Sequence, residues 1–226
     1  MEPILFYGVP SGCSLGAVIA LEWLAQPYRL SRIEMMQQPW PAPYAHVNPR
    51  MKTPALLLED GASLTESAAI LQHIARRGGM RENDRLNEML AYLTTDYFAA
   101  YAPLWKLYDA GDNDATTRTV LRAWGEESAR KECAWVDGLL ADRTWLLGAQ
   151  RTVADAYLYA VGRWARYHEV ADLDADYPHL ATWFRRMECD PAVQFALAIE
   201  RGDEPAGNGA FRGHVALDAL RERLAA

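Results

Sequence analysis

The chain has 226 residues, is 50% hydrophobic and 23% charged, and carries a formal net charge of −7. That length suits one large domain or two small ones, and the acidic balance gives no electrostatic reason to expect nucleic acid or an anionic membrane as partner. Three widely spaced cysteines (Cys13, Cys133 and Cys189) make no disulfide framework. No basic-then-apolar leader opens the chain, and no apolar run approaches the ~18 residues of a membrane span. A reducing cytoplasm is the expected compartment.

Ile4-Leu5-Phe6-Tyr7 is a β-type run that leads into a turn rich in Gly, Pro and Ser. A helical pattern starts at Ser14 (Leu15, Val18, Ile19, Leu21, Leu24). Tyr28 to Ile33 alternates and reads as a second strand. Residues 37–50, rich in Gln, Pro and Trp, read as loop with at most a short helix. Pro54 to Leu58 is a third strand, Asp60-Gly61 a hairpin turn, and Ser63-Leu64-Thr65 a fourth strand. Glu66 to Arg77 then reads as a helix that stops at Gly78-Gly79. The order is β-α-β followed by β-β-α, an α/β unit over residues 1–78.

Residues 79–84 read as a linker, and everything from 85 to 200 as helical. Leu86 to Asp109 is a long amphipathic pattern with a kink expected at Pro103. A second helix runs from Thr117 to about Asp142. A third opens with Thr152-Val153-Ala154-Asp155, which fits an N-terminal capping box. Shorter helices follow near Tyr177–Met187 and Pro191–Ile199. Residues 201–226 form an extension: Gly202 to Gly213, with Pro205 and several glycines, reads as a mobile loop. Leu217, Leu220 and Leu224 then give the apolar stripe of a terminal helix, either docked for stability or capping part of an active site.

Three features carry chemistry. Cys13 falls in the turn that opens the first helix, where free N–H groups and the positive dipole end favour thiolate. Thr53-Pro54 precedes a strand; a cis bond there turns the Thr53 backbone outward, free to pair with an extended peptide. Glu66-Ser67 sits where a helix begins, so its N–H groups can hold a ligand carboxylate and Glu66 a ligand ammonium; the alternative is that both simply cap their own helix. None of the five histidines sits in a metal-ligand spacing, and no phosphate-binding glycine loop is present, so no metal is expected.

Taken together, these features resemble the glutathione transferases over almost the whole chain, to about residue 200. Gly12-Cys13-Ser14-Leu15, Ala154 to Leu158 and Arg163-Trp164-Ala165 look most like the bacterial beta class, which uses a cysteine where others use tyrosine or serine. The resemblance implies a thioredoxin-like first domain, an all-helical second domain, glutathione as co-substrate, a small-molecule electrophile and a homodimer. It implies that Cys13 faces the glutathione sulfur, with Ser14 beside it as a second hydrogen-bonding group. It also implies that Thr53 pairs with the cysteinyl part beside a cis Pro54, and that Glu66 and Ser67 hold the γ-glutamyl end. Gln37 falls near the position of a family lysine at the same site.

The departures matter as much. The His-Lys pair of beta-class enzymes aligns with Phe98 and Ala99, and a family asparagine with Ala91. Phe98, Tyr101, Trp105 and Trp164 are therefore candidates for an apolar substrate pocket, or pack a helix interface. Conjugation and thiol–disulfide exchange both stay open. So do glutathione-dependent isomerisation and non-catalytic ligand binding on the same fold.

Overall fold

The computed structural model describes residues 2–80, 83–109 and 114–220, and these divide into two compact units. The first comprises residues 1–83 and 189–226, the second residues 84–188.

The first unit is built on β1 (Ile4–Val9), whose six residues are all buried. A continuous apolar strand of this kind suits the centre of a sheet covered on both faces. Helix α1 (Leu15–Trp23) returns the chain to β2 (Tyr28–Glu34), parallel to β1. The short helix α2 (Tyr44–Val47) follows, then β3 (Ala55–Leu57), β4 (Ser63–Thr65) and helix α3 (Ser67–Arg77). β3 pairs antiparallel with β1, and β4 with β3. This is the expected thioredoxin-like βαβ-ββα order, and α3 stops where Gly78 and Gly79 were read as its end.

The sheet has a fifth strand that the sequence reading missed. Its order is β4-β3-β1-β2-β5, where β5 is Phe211–His214, parallel to β2. The segment read as a mobile loop is thus partly a strand. Tyr28 pairs with Phe211 and Leu30 with His214, so β5 spends one more residue than β2 over this stretch. Gly213, at φ +93°, absorbs the bulge. Leu217–Leu220 forms a short 3₁₀ turn, and Leu224, the third residue of the expected terminal helix, lies outside the described residues.

The second unit begins with α4 (Asp84–Tyr92), continues through a wide π turn (Leu93–Tyr97) and a 3₁₀ turn (Ala99–Tyr101), and resumes as α5 (Ala102–Asp109). The break therefore precedes Pro103. The backbone stays helical through Phe98 and Ala102, and the irregular turns fall where the proline ring removes a hydrogen bond and crowds the preceding turn. Next come α6 (Ala115–Leu140), α7 (Val153–Gly162), α8 (Trp164–Tyr167), α9 (Leu173–Asp176) and α10 (Pro178–Glu188). The last helix, α11 (Pro191–Arg201), was read with the helical domain but belongs to the first compact unit. It packs on α1 of that unit, and Asp190 at its N-cap accepts a hydrogen bond from Trp23 Nε1 at 2.9 Å. Among the described residues no helix is long and apolar enough to cross a membrane.

The capping box at Thr152 is formed, and its carboxylate does more than cap. Asp155 is fully buried. It accepts from Thr152 N (2.8 Å), Leu146 N (2.9 Å), Thr152 Oγ1 (3.2 Å) and Trp183 Nε1 (3.3 Å). Burial raises its pKa, while the donors oppose that shift. One side chain thus ties the start of α7 to the preceding loop and to α10. Replacing Asp155 with Ala leaves these donors buried without an acceptor; we expect a loss of about 3 kcal/mol in urea unfolding.

Candidate active site

Cys13 occupies the turn before α1. Leu15 N donates to Gly12 O and Gly16 N to Cys13 O, both at 3.3 Å, so the chain is already winding into the helix as it leaves the thiol. Gly12 is required here: a Cβ on it would fall 2.2 Å from the Gly8 carbonyl oxygen. The thiol is partly exposed. Its Sγ lies 3.8 Å from the Thr53 carbonyl oxygen and 3.7 Å from Ser67 Oγ. Three segments that are distant in sequence, at residues 13, 53 and 67, therefore meet at one sulfur.

The Thr53 loop is held from below. Tyr44 Oη and Asn48 Nδ2 each donate to the Lys52 carbonyl oxygen at 2.7 Å. Asn48 is buried, and its Oδ1 accepts from Arg50 N at 3.1 Å, which rounds the turn toward Lys52. The Thr53–Pro54 bond is cis, as the resemblance implies. Thr53 Oγ1 turns away from the loop edge onto Met35 Sδ (3.5 Å).

Glu66 and Ser67 sit at the head of α3. Glu66 has φ +71° and ψ +125°, a strained region for a residue with a Cβ. Its side chain makes no capping bond to its own helix, which disposes of the capping alternative for this carboxylate. Instead it is exposed and paired with Arg50 Nη2, and the same nitrogen lies 3.4 Å from Thr65 Oγ1. Arg50, Asn48 and Tyr44 were not picked out as site residues by sequence reasoning. The signal for Asn48 was present in Asn48-Pro49; Arg50 and Tyr44 carry none that a single sequence reveals.

Ser14 bonds through its hydroxyl to the backbone at the end of β1. It is buried at 1% exposure, and its Oγ accepts from Gly8 N at 3.0 Å and lies 3.5 Å from Gly8 O. The hydroxyl satisfies the end of β1 and fixes the turn. Gln37 is exposed in the loop after β2, with its backbone N–H donating to Glu34 O at 3.1 Å.

The four pocket candidates all lie in the second unit and form one aromatic cluster. Trp164 meets Phe98 at 5.1 Å, Trp105 at 5.2 Å and Tyr101 at 5.7 Å, each edge to face. Tyr101 and Trp164 are buried, and the Tyr101 hydroxyl lies 3.7 Å from buried Cys133 Sγ. These two rings are core, because their surface is spent on neighbouring rings. Phe98 and Trp105 are partly exposed. His168 joins the cluster 4.4 Å from Trp105, buried at 3% exposure, with its Nε2 unpartnered among the described residues.

The regions matched by family models are the glutathione S-transferase N-terminal domain (residues 10–77) and C-terminal domain (residues 122–191). The chain belongs to the glutathione S-transferase family. It is 32% identical over 207 residues to the glutathione S-transferase GstA of Escherichia coli O157:H7, covering 87% of this chain and 98% of that protein. A sphingomonad glutathione S-transferase solved with glutathione superposes with TM-score 0.76 at 31% identity, covering 88% of this chain and 98% of that one. The bacterial beta-class enzyme of Sphingomonas chungbukensis gives 0.75 at 26% identity, over 87% and 98% of the two chains. The fold is thus that of a bacterial, beta-class-like transferase.

Burial, and secondarily the Arg122 charge, pushes the His168 pKa down to about 4 from 6.5. The unfolded chain therefore takes up a proton on this ring at a higher pH than the folded chain does. The stability contributed by the neutral ring is present in full above about pH 6.5 and is lost as pH falls toward 4. Between pH 7 and pH 5 that loss is about 2 kcal/mol. Urea unfolding at the two pH values should show most of this difference in the wild type and little of it in His168→Gln.

Proposed function

We propose that this transferase binds glutathione in its first unit and works through a cysteine-type site, with Cys13 as the reacting thiol. The observation that carries this reading is the convergence of Cys13 Sγ on the Thr53 carbonyl and Ser67 Oγ. A tripeptide laid along this edge would place its γ-glutamyl ammonium on Glu66. Its carboxylate would fall on Ser67 and the amides that open α3, its cysteinyl backbone on Thr53, and its sulfur beside Cys13. The sphingomonad enzyme solved with glutathione supports the choice of ligand.

Among the reactions such a site can run, thiol–disulfide exchange fits best. The Cys13 thiolate attacks the glutathionyl sulfur of a mixed disulfide, the Cys13–glutathione disulfide forms, and the other sulfur leaves as thiolate. A second glutathione thiolate then attacks that disulfide, releasing glutathione disulfide and regenerating the Cys13 thiolate. Conjugation, in which the bound glutathione thiolate displaces a leaving group from an apolar electrophile, needs strong donors beside the sulfur. A thiol is a weak donor, and the Ser14 hydroxyl is committed to Gly8. Conjugation is therefore the second reading, with the partly exposed rings of Phe98 and Trp105 as candidates to receive the electrophile. Gln37 is left without a role in this scheme.

Cys13→Ala separates the two reactions. Exchange with a glutathionyl mixed disulfide should fall at least about 100-fold, while calorimetric titration still detects glutathione binding. Retained exchange in that variant would eliminate the covalent route.

The homodimer reading is supported by α6, which exposes Val120 (59%), Trp124 (60%) and Trp135 (48%). At 100° per residue, positions 120, 124 and 135 fall on one side of the helix, so the three form an apolar line that a second copy could cover. Light scattering should give twice the chain mass of 25.4 kDa, and Trp124→Glu should halve it.

A further inference from the structure

The segment after α11 lies outside both matched family regions, yet it is built into the first unit at four places. Asn208 is clamped on Glu22, a buried carboxylate: its backbone N–H donates to Glu22 Oε2 at 3.1 Å, and its side-chain amide donates to the Glu22 carbonyl oxygen at 2.5 Å. The strand then extends the sheet, with Tyr28 N donating to Ala210 O at 3.1 Å and Val215 N to Leu30 O at 2.8 Å. Phe211 packs between Tyr28 and Phe195, at 5.7 and 5.6 Å, and His214 Nε2 lies 3.1 Å from the Tyr7 hydroxyl on β1. Finally Leu217 and Leu220 are buried in the same apolar cluster as Tyr44 and Val47 of α2, with Ile4, Phe6 and Ile33 of the sheet.

That last contact matters for the site. Tyr44 has its ring in this cluster and its hydroxyl on the Lys52 carbonyl. Lys52 is followed by Thr53, whose carbonyl faces Cys13 Sγ. The two leucines thus fill the cluster from which α2 holds the loop. We propose that Leu217 and Leu220 are positioning residues of the glutathione site: the C-terminal segment straps α2 in place and so fixes the edge on which Thr53 receives the tripeptide backbone. The inference rests on the glutathione reading above, and only its ligand readout depends on it.

Truncating both leucines should loosen α2 and its loop without touching the thiol. In Leu217→Ala/Leu220→Ala we expect the KM for glutathione to rise at least about fivefold while kcat at saturating glutathione changes less than about twofold. Leu217→Met/Leu220→Met, which refills the volume, should restore the KM. An unchanged KM in a folded alanine variant overturns the proposal. Hydrogen exchange on the full chain decides the matter independently of any ligand. Amides of residues 44–53 and 211–220 should share one level of protection in the wild type, and residues 44–53 should exchange faster in the alanine variant. Protected residues 44–53 beside freely exchanging residues 211–220 in the wild type overturn the proposal even if the alanine variant fails to fold. Failure of the wild type to bind glutathione by calorimetry, with the exchange pattern as expected, overturns the ligand reading and leaves the strap standing.

Discussion

The carbonyl oxygen of Lys52 accepts hydrogen bonds from Tyr44 Oη and Asn48 Nδ2, both at 2.7 Å. Both donors reach out of the buried part of the unit, Tyr44 with no exposed surface and Asn48 at 2%. An exposed loop normally has freedom that a binding edge must give up when a ligand arrives. Here two donors fixed by packing remove that freedom in advance. The Thr53 carbonyl that meets the thiol is held in place because the residue before it is fastened to the core.

The same logic explains how Ser14 and Gly12 shape the turn. Ser14 spends its hydroxyl on the Gly8 peptide, and Gly12 leaves room for the Gly8 carbonyl. The end of β1 is thereby closed, and Cys13 is left as the residue that projects. In the second unit Asp155 plays a comparable part with four donors around one carboxylate. A buried carboxyl group that has gathered this many partners is costly to alter, because each donor loses its acceptor together with the rest.

Much of this was legible in the sequence because the signals were local. The β-α-β and β-β-α order follows from periodicity, the helix stop from Gly78-Gly79, and the capping box from Thr152 to Asp155. Cys13 stood out because a turn rich in glycine and proline was followed by a helix. What escaped was set by tertiary pairing. Phe211-Arg212-Gly213-His214 has no alternation and a glycine at φ +93°, so nothing in those four residues announces a strand; the edge of β2 makes them one. The bond from Ser14 to Gly8 was likewise not legible, because it depends on how the turn folds back on the end of β1. Tyr101 and Trp164 looked like pocket walls because aromatic residues serve equally well as core.

Phe98 and Ala99, the two residues that the resemblance sets against a family His-Lys pair, carry no charge. Phe98 is packed edge to face on Trp164 at 5.1 Å, so its ring is part of the apolar framework of the helical unit. His168, the imidazole within that framework, is held neutral by burial near physiological pH. Phe98, Ala99 and His168 therefore offer no positive charge to an anionic ligand at physiological pH. The Glu66 carboxylate and the amide N–H groups that open α3, proposed above to hold the γ-glutamyl end, belong to the first unit, as does the Arg50 guanidinium paired with Glu66. On that proposal, a zwitterionic γ-glutamyl end would have to compete with this pair for the carboxylate. Because both partners are largely exposed, the pair itself is weak, and a bidentate fit to the ammonium and carboxylate together can displace it. On the proposed reading, recognition of glutathione would therefore rest on the unit that also carries the thiol, with no cation from Phe98, Ala99 or His168 to assist it.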